Sequence, residues 1–185
     1  MILRHIRTAT FVTTPATPSE PAVLSRWLIL AAGIVLLDQA TKYWAGAALE
    51  IHRPVALLPF LNFTLTHNAG AAFSLFSDAG GWQRWFLSGL AVLISGVIVA
   101  WIRRVPGDRV WLPCALALVL GGALGNLVDR VLFGAVVDFV DVYYGQWHWP
   151  AFNLADSAIS VGAVMLIISS FHDEDAKSDT EDVPK

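Results

Sequence analysis

The stretch RWFLSGLAVLISGVIVAWIRR, residues 84–104, decides the class of this protein. Between Arg84 and Arg103 the chain runs from Trp85 to Ile102 without a charge. A helix needs about 20 apolar residues to cross the ~30 Å hydrocarbon core of a bilayer, and this segment is close to that length. Three other segments read the same way: Trp27 to about Leu49, Val110 to Val128, and about Asn153 to Phe171. Composition agrees, since 56% of the 185 residues are hydrophobic and 15% are charged, where a soluble domain carries roughly 25% charge. The expected fold is a membrane α-helical protein with four transmembrane helices.

Several other classes fall away. The basic residues are scattered, with no Lys/Arg run longer than Arg103–Arg104, so no nucleic-acid surface is expected. The single cysteine, Cys114, cannot form an intrachain disulfide and lies in an apolar run, where it reads as a small packing residue. The arginines before the first span and WAGAAL at its end could suggest a cleavable signal peptide. Asp38 and Lys42 inside that span argue against it.

Flanking charge orients the spans. Arg4, Arg7 and Arg26 precede the first, and Arg103, Arg104 and Arg109 fill the second connection. The positive-inside rule then places both termini in the cytoplasm, with residues 50–81 and 130–152 outside. Residues 1–25, rich in Thr and Pro, and the acidic stretch 172–185 read as cytoplasmic tails, the first of them disordered. Residues 26–171 form the membrane domain.

The outer connections carry strand signals. Leu61 to Thr66 and Ala72 to Phe76 flank the turn-like HNAG, and GAVVDFVDVYYGQWHWP (134–150) is β-branched and aromatic. A small extracytoplasmic β-sheet on the helical bundle is expected, with the Trp and Tyr residues of 143–149 in the headgroup belt. FSDAGGW (76–82) has flexible Gly80 and Gly81 before an interfacial Trp82, and suits a mobile cover over the outer face.

Polar residues collect at that face. GGALGNLVDR supplies Asn126, Asp129 and Arg130, and the next connection supplies Asp138 and Asp141. The fourth span opens with Asn153 and Asp156, and Asn68 stands nearby in the first outer connection. Asn153 could cap the fourth helix with Asp156 at its third position, but capping one helix does not require so many carboxylates. Metal chemistry is not signalled: there is no H-E-x-x-H, and His5, His52, His67, His148 and His172 are widely spaced. No G-x-S-x-G appears and Cys114 has no obvious His partner. What remains is a carboxylate pair, one member protonated and the other acting as base on water. Spacing alone does not say which two carboxylates meet. Asp138 and Asp141 would point to opposite faces of a strand, so only one of them can aim at the site.

Together, DQATK in the first span, NAGAAF after the outer strand, GGALGNLVDR, VVDF and FNLADSAISVG resemble bacterial lipoprotein signal peptidase (signal peptidase II) over roughly residues 26–171. That resemblance implies an intramembrane aspartyl endopeptidase of the bacterial inner membrane with its site at the periplasmic face. It would remove the signal peptide of a diacylglyceryl-modified prolipoprotein just before the lipidated cysteine. The catalytic pair would be Asp138 and Asp156. Asn68, Asn126, Asp129, Arg130 and Asn153 would bind substrate or support the site. No cofactor or metal is implied, and the enzyme would act as a monomer in contact with membrane lipid.

Three residue-level readings accompany this. Asp38 and Lys42, four apart, share a helix face and can neutralise each other structurally. Gly121 and Gly125 form a G-x-x-x-G pair that admits a close neighbour. Asp129, one further turn along and adjacent to Arg130, reads as an ion-paired scaffold. Two other classes remain possible: a proton or solute pathway through Asp38, Lys42, Asp129 and Asp156, and a small structural subunit. A pathway would spread its ionisable groups through the bilayer, whereas here most sit at the outer ends of the spans.

Overall fold

A computed structural model describes residues 20–70 and 80–181, with side chains described for 24–70 and 80–171. In chain order the elements are α1 (Glu20–Ala48), β1 (Val55–Leu58), β2 (Leu61–Asn68), α2 (Trp82–Ile102), α3 (Trp111–Phe133), β3 (Val136–Tyr144), β4 (Trp147–His148) and α4 (Leu154–Glu181). All four helices contain segments long and apolar enough to span a membrane: Leu24–Ala48, Trp82–Ile102, Trp111–Phe133 and Leu154–Phe171.

The third helix is the hub. Half of its apolar window is buried, against 17–22% in the other three, and it packs on α1, α2 and α4. Lipid gives helices no hydrophobic reason to associate, so close packing of small residues has to supply the attraction. The contacts of α3 depend on missing side chains. A Cβ on Gly121 would stand 2.6 Å from Ile34 Cβ, and one on Gly125 2.6 Å from Asp38 Oδ2, so this face is where α1 lies. A Cβ on Gly122 would run into the carbonyl of Ala155, and one on Gly162 would stand 2.7 Å from the carbonyl of Ala115, so α4 lies against the adjacent face. At the end of the bundle away from the sheet, Trp27, Ala31, Ile98, Ile102, Leu116 and Leu120 close the core. Outward residues such as Leu36, Leu93, Leu132 and Ile167 are exposed, as a lipid-facing surface should be.

Among the described residues, four strands form one antiparallel sheet in the order β1-β2-β3-β4. A buried cluster of Ala45, Leu65 and Phe139 seats it on the C-terminal end of α1, with Trp44, Phe63 and Phe139 in mutual edge-to-face contact. Val140 and Phe152 exchange backbone hydrogen bonds of 2.9 and 3.0 Å. That bridge lays the entry to α4 against β3, beside Asp138.

Several boundaries differ from expectation. The third helix does not stop at Asp129 but runs to Phe133, ended by Gly134 in the left-handed conformation at φ 83°. It can continue because Asp129 is neutralised inside the bundle, as described below. The first helix starts at Glu20, inside the stretch read as a tail, and α4 continues to Glu181, beyond the last span residue. β1 was not expected: all four of its residues are exposed, so it lacks the alternation that marks a half-buried strand. The expected strand at 72–76 and most of the expected cover, residues 76–79, lie outside the described residues. At its described end, Gly80 and Gly81 adopt φ 75° and 97°, and Trp82 stacks edge-on against Phe86.

Candidate active site

Asn153 organises the end of the bundle that carries the sheet. As N-cap of α4 its Oδ1 accepts the Asp156 N–H at 2.9 Å, and its own N–H donates to Asp156 Oδ2 at 3.2 Å. This is the reciprocal capping box, with Asn and Asp as its two members. The same side chain's Nδ2 donates to Asp138 Oδ1 at 2.7 Å and to the Val137 carbonyl at 3.1 Å. One amide therefore links the first turn of α4 to β3 and holds both aspartates. Asn153 is fully buried, Asp138 is 2% exposed, and Asp156 is half-buried. The capping expected of Asn153 and Asp156 is present, and it fixes the Asp156 carboxylate in place.

A second amide completes the frame. Asn126 on α3 donates from Nδ2 to Asp156 Oδ1 at 2.8 Å and accepts from Asn153 Nδ2 at 3.2 Å. Asp156 therefore receives a donor on each oxygen, at the positive end of a helix. Asn68, the last residue of β2, hydrogen-bonds Asp138 through its side chain and accepts the Gly70 N–H at 3.0 Å. Its turn role and its contact with the site coexist.

Beneath this pair lies an ionic cluster. Lys42 Nζ sits 2.8 Å from Asp38 Oδ2, 2.8 Å from Asp129 Oδ2 and 2.9 Å from Asn126 Oδ1. All three donors of the ammonium are used. Asp38 Oδ1 also accepts the Ala155 N–H at 2.9 Å, reaching from α1 to the first turn of α4. Asp129 Oδ2 accepts the Val137 N–H at 3.0 Å, one residue before Asp138. The expected Asp38–Lys42 pair is present. Asp129 is ion-paired as expected, but with Lys42 and not with its neighbour Arg130, because successive helical residues point about 100° apart. Arg130 instead donates to the Gly70 carbonyl at 2.9 Å, clamping the end of β2 to α3. Gln39 was not singled out from the sequence, yet it donates to Asp129 Oδ1 at 2.9 Å and to the Gly125 carbonyl at 3.2 Å. Its place inside DQATK was the available signal.

Burial and electrostatics separate the carboxylates outside the spans. Burial, with the Asp156 carboxylate as second cause, pushes Asp138 up to about 7, despite hydrogen bonds from Asn68 and Asn153 and the charge of Lys42. Burial also pushes Asp141 upward, but hydrogen bonds from His148, Asn62 and Thr64 outweigh it and hold that carboxyl below the usual range. Asp141 is engaged away from Asp138: Asn62 and Thr64 each donate to its Oδ2 at 3.2 Å, and His148 Nδ1 lies 2.7 Å from its Oδ1. The strand directs the two side chains differently, as the sequence required.

One buried aspartate with an affinity for protons near neutrality is thus tied through one amide to a second. Comparison with known proteins bears on the same point. The family profile described as Signal peptidase (SPase) II matches residues 30–172. The chain belongs to the signal peptidase II family. Lipoprotein signal peptidase of Hydrogenovibrio crunogenus is 48% identical over 170 residues, covering 89% of this chain and 98% of the relative. That of Acinetobacter baumannii is 56% identical over 145 residues, covering 78% and 82%. A solved bacterial membrane enzyme, 32% identical, superposes with a TM-score of 0.74 over 83% of this chain and 92% of its own. Members of signal peptidase II are aspartic proteases, and this chain is one that removes signal peptides from prolipoproteins.

Proposed function

We propose that Asp138 and Asp156 form the catalytic pair, sharing one proton at the outer face of the membrane. The observation that carries this reading is the Asn153 side chain, which bonds both residues at once. In the resting enzyme Asp138 holds the proton and Asp156 is the base. A water between them gives a proton to Asp156 while its oxygen attacks the scissile carbonyl, and Asp138 protonates the carbonyl oxygen. The tetrahedral intermediate collapses as the proton on Asp156 passes to the leaving nitrogen, the C–N bond breaks, and one hydroxyl of the intermediate returns its proton to Asp138, which restores the resting pair. No covalent enzyme intermediate forms. Asn68 and Arg130, at the β2 end of the site, support the substrate backbone.

The substrate is a prolipoprotein whose cysteine already bears diacylglycerol, cut on the N-terminal side of that cysteine. Two acyl chains keep the substrate in the lipid, so it enters sideways and meets the pair at the interface. The site faces the periplasm and both termini face the cytoplasm. Orientation is supported by charge at the opposite end of the bundle: Arg26 donates to the Gly107 carbonyl at 3.0 Å, joining the start of α1 to the connection that carries Arg103, Arg104 and Arg109. A membrane proton pathway gains no comparable support, since every N–H of the Lys42 ammonium is already committed.

The test is incubation of the purified enzyme with a prolipoprotein in two forms, diacylglyceryl-modified and unmodified. Release of the intact signal peptide from the modified form alone is expected. Equal cleavage of both forms would remove lipid recognition from the reading.

A further inference from the structure

We infer that Lys42 is a positioning residue for the reaction: its ammonium fixes the amide orientation of Asn126, and that orientation presents an N–H donor to Asp156. The inference rests on Asp156 being the base of the pair. A side-chain amide has an acceptor end and a donor end, and nothing in its own shape decides which way round it sits. At Asn126 the choice is forced. Oδ1 faces Lys42 Nζ at 2.9 Å, and turning the amide would set its NH2 against an ammonium, donor against donor. With Oδ1 fixed there, also accepting from Asn153 Nδ2, the NH2 must face Asp156 Oδ1, which it meets at 2.8 Å.

Lys42 is itself immobile. It is 4% exposed and clamped between Asp38 and Asp129. Asp38 carries the same constraint into α4 by a second route, through the Ala155 N–H beside Asp156. One ammonium on α1 thus governs both the depth of the first turn of α4 and the donor its aspartate receives. Lys42 acts on the reaction without touching substrate.

The charged groups around Asp156 are Asp38 and Lys42 on α1, Arg130 on α3 and Asp138 on β3, with Asp129 on α3 behind Lys42 and Arg130. If Asn126 turns, a carbonyl oxygen replaces the donor at Asp156, and the ionised form loses a charge-assisted hydrogen bond. The acid limb of the rate profile should then move to higher pH by about one unit, the scale of one such bond.

Lys42→Met alone would leave Asp38 and Asp129 buried without their cation, and that variant can fail to fold. The test therefore uses Lys42→Met/Asp129→Asn, which removes one charge of each sign, and Asn126→Leu, which leaves both ion pairs of Lys42 in place. Both are compared with Asp129→Asn alone, using pH profiles of kcat/KM on lipidated prolipoprotein and thermal unfolding in detergent. The acid limb should rise in the double variant and in Asn126→Leu but not in Asp129→Asn. Adding Asn126→Leu to the double variant should move it no further, because the effect passes through that amide. A folded double variant with an unmoved acid limb would overturn the inference, as would shifts that add. A parent enzyme with a normal profile separates this failure from failure of the catalytic assignment.

Discussion

Asp138→Asn and Asp156→Asn should each lower signal-peptide release by about 10⁴-fold or more, the scale on which interdependent catalytic groups fail when one member is removed. The amides keep the shape of the site and one acceptor oxygen each but can neither take a proton from water nor hold one for the carbonyl. Because the pair acts as a unit, the double substitution should be no worse than either single one. Asp141→Asn, three residues along the same strand, should retain most activity, since Asp141 is spent on Asn62, Thr64 and His148. Substantial turnover by either dyad variant would end the assignment. The same substitution should also reveal what the site costs the fold. Asp138 titrates at about 7 when folded and at about 4 when unfolded. The folded state therefore binds more protons between those values, and stability falls as pH rises through that window. Asparagine has no charge to desolvate. At pH 8 Asp138→Asn should unfold at a higher temperature than the parent, with the difference closing by about pH 4.

Gly122→Ala should cost about 100-fold in turnover without touching a catalytic group. The added Cβ would collide with the Ala155 carbonyl and lie 2.7 Å from Ile159 Cγ1. Both atoms belong to the first turns of α4, so the helix must move away from α3. Asp156 moves with it, away from Asn126 Nδ2, and a displacement of about 1 Å in a catalytic group is worth that order of rate. Thermal stability should fall as well, by about 1–3 kcal/mol for an overpacked contact. Gly96→Ala is the control. A Cβ there meets nothing within 4 Å, and its helix carries none of the pair. Equal effects of the two substitutions would show that α3–α4 packing does not set the geometry of the site.

The parts of this architecture visible in the sequence were those with short-range or strongly periodic signals. Uncharged runs such as Trp85–Ile102 identified the spans, and the spacing of Asp38 and Lys42 placed them on one helix face. Asn153 and Asp156, three apart before an apolar run, carried the capping signal in full. Strand alternation separated Asp138 from Asp141 but gave no ground for choosing a catalytic candidate between them; that choice rests on the resemblance of VVDF and FNLAD to signal peptidase II. What stayed hidden depends on contacts between distant segments. The pairing of Asp129 with Lys42 joins α3 to α1, and its nearest charged neighbour in sequence, Arg130, was the wrong partner. The roles of Gln39 and Gly122 are equally non-local: one reads as an ordinary helical residue and the other as a neighbour of the more obvious Gly121 and Gly125. β1 was missed because a strand exposed at every residue has no burial pattern to detect.

The most direct test of a metal-free pair sharing one proton is the rate of signal-peptide release from diacylglyceryl prolipoprotein across pH, measured with and without a chelator. The profile should be bell-shaped, since its two limbs belong to the coupled pair. The alkaline limb of kcat/KM should fall near pH 7, where Asp138 gives up its proton, and the chelator should leave the curve unchanged. Activity lost to the chelator and restored by zinc would contradict the mechanism, and so would a rate that keeps rising above pH 8.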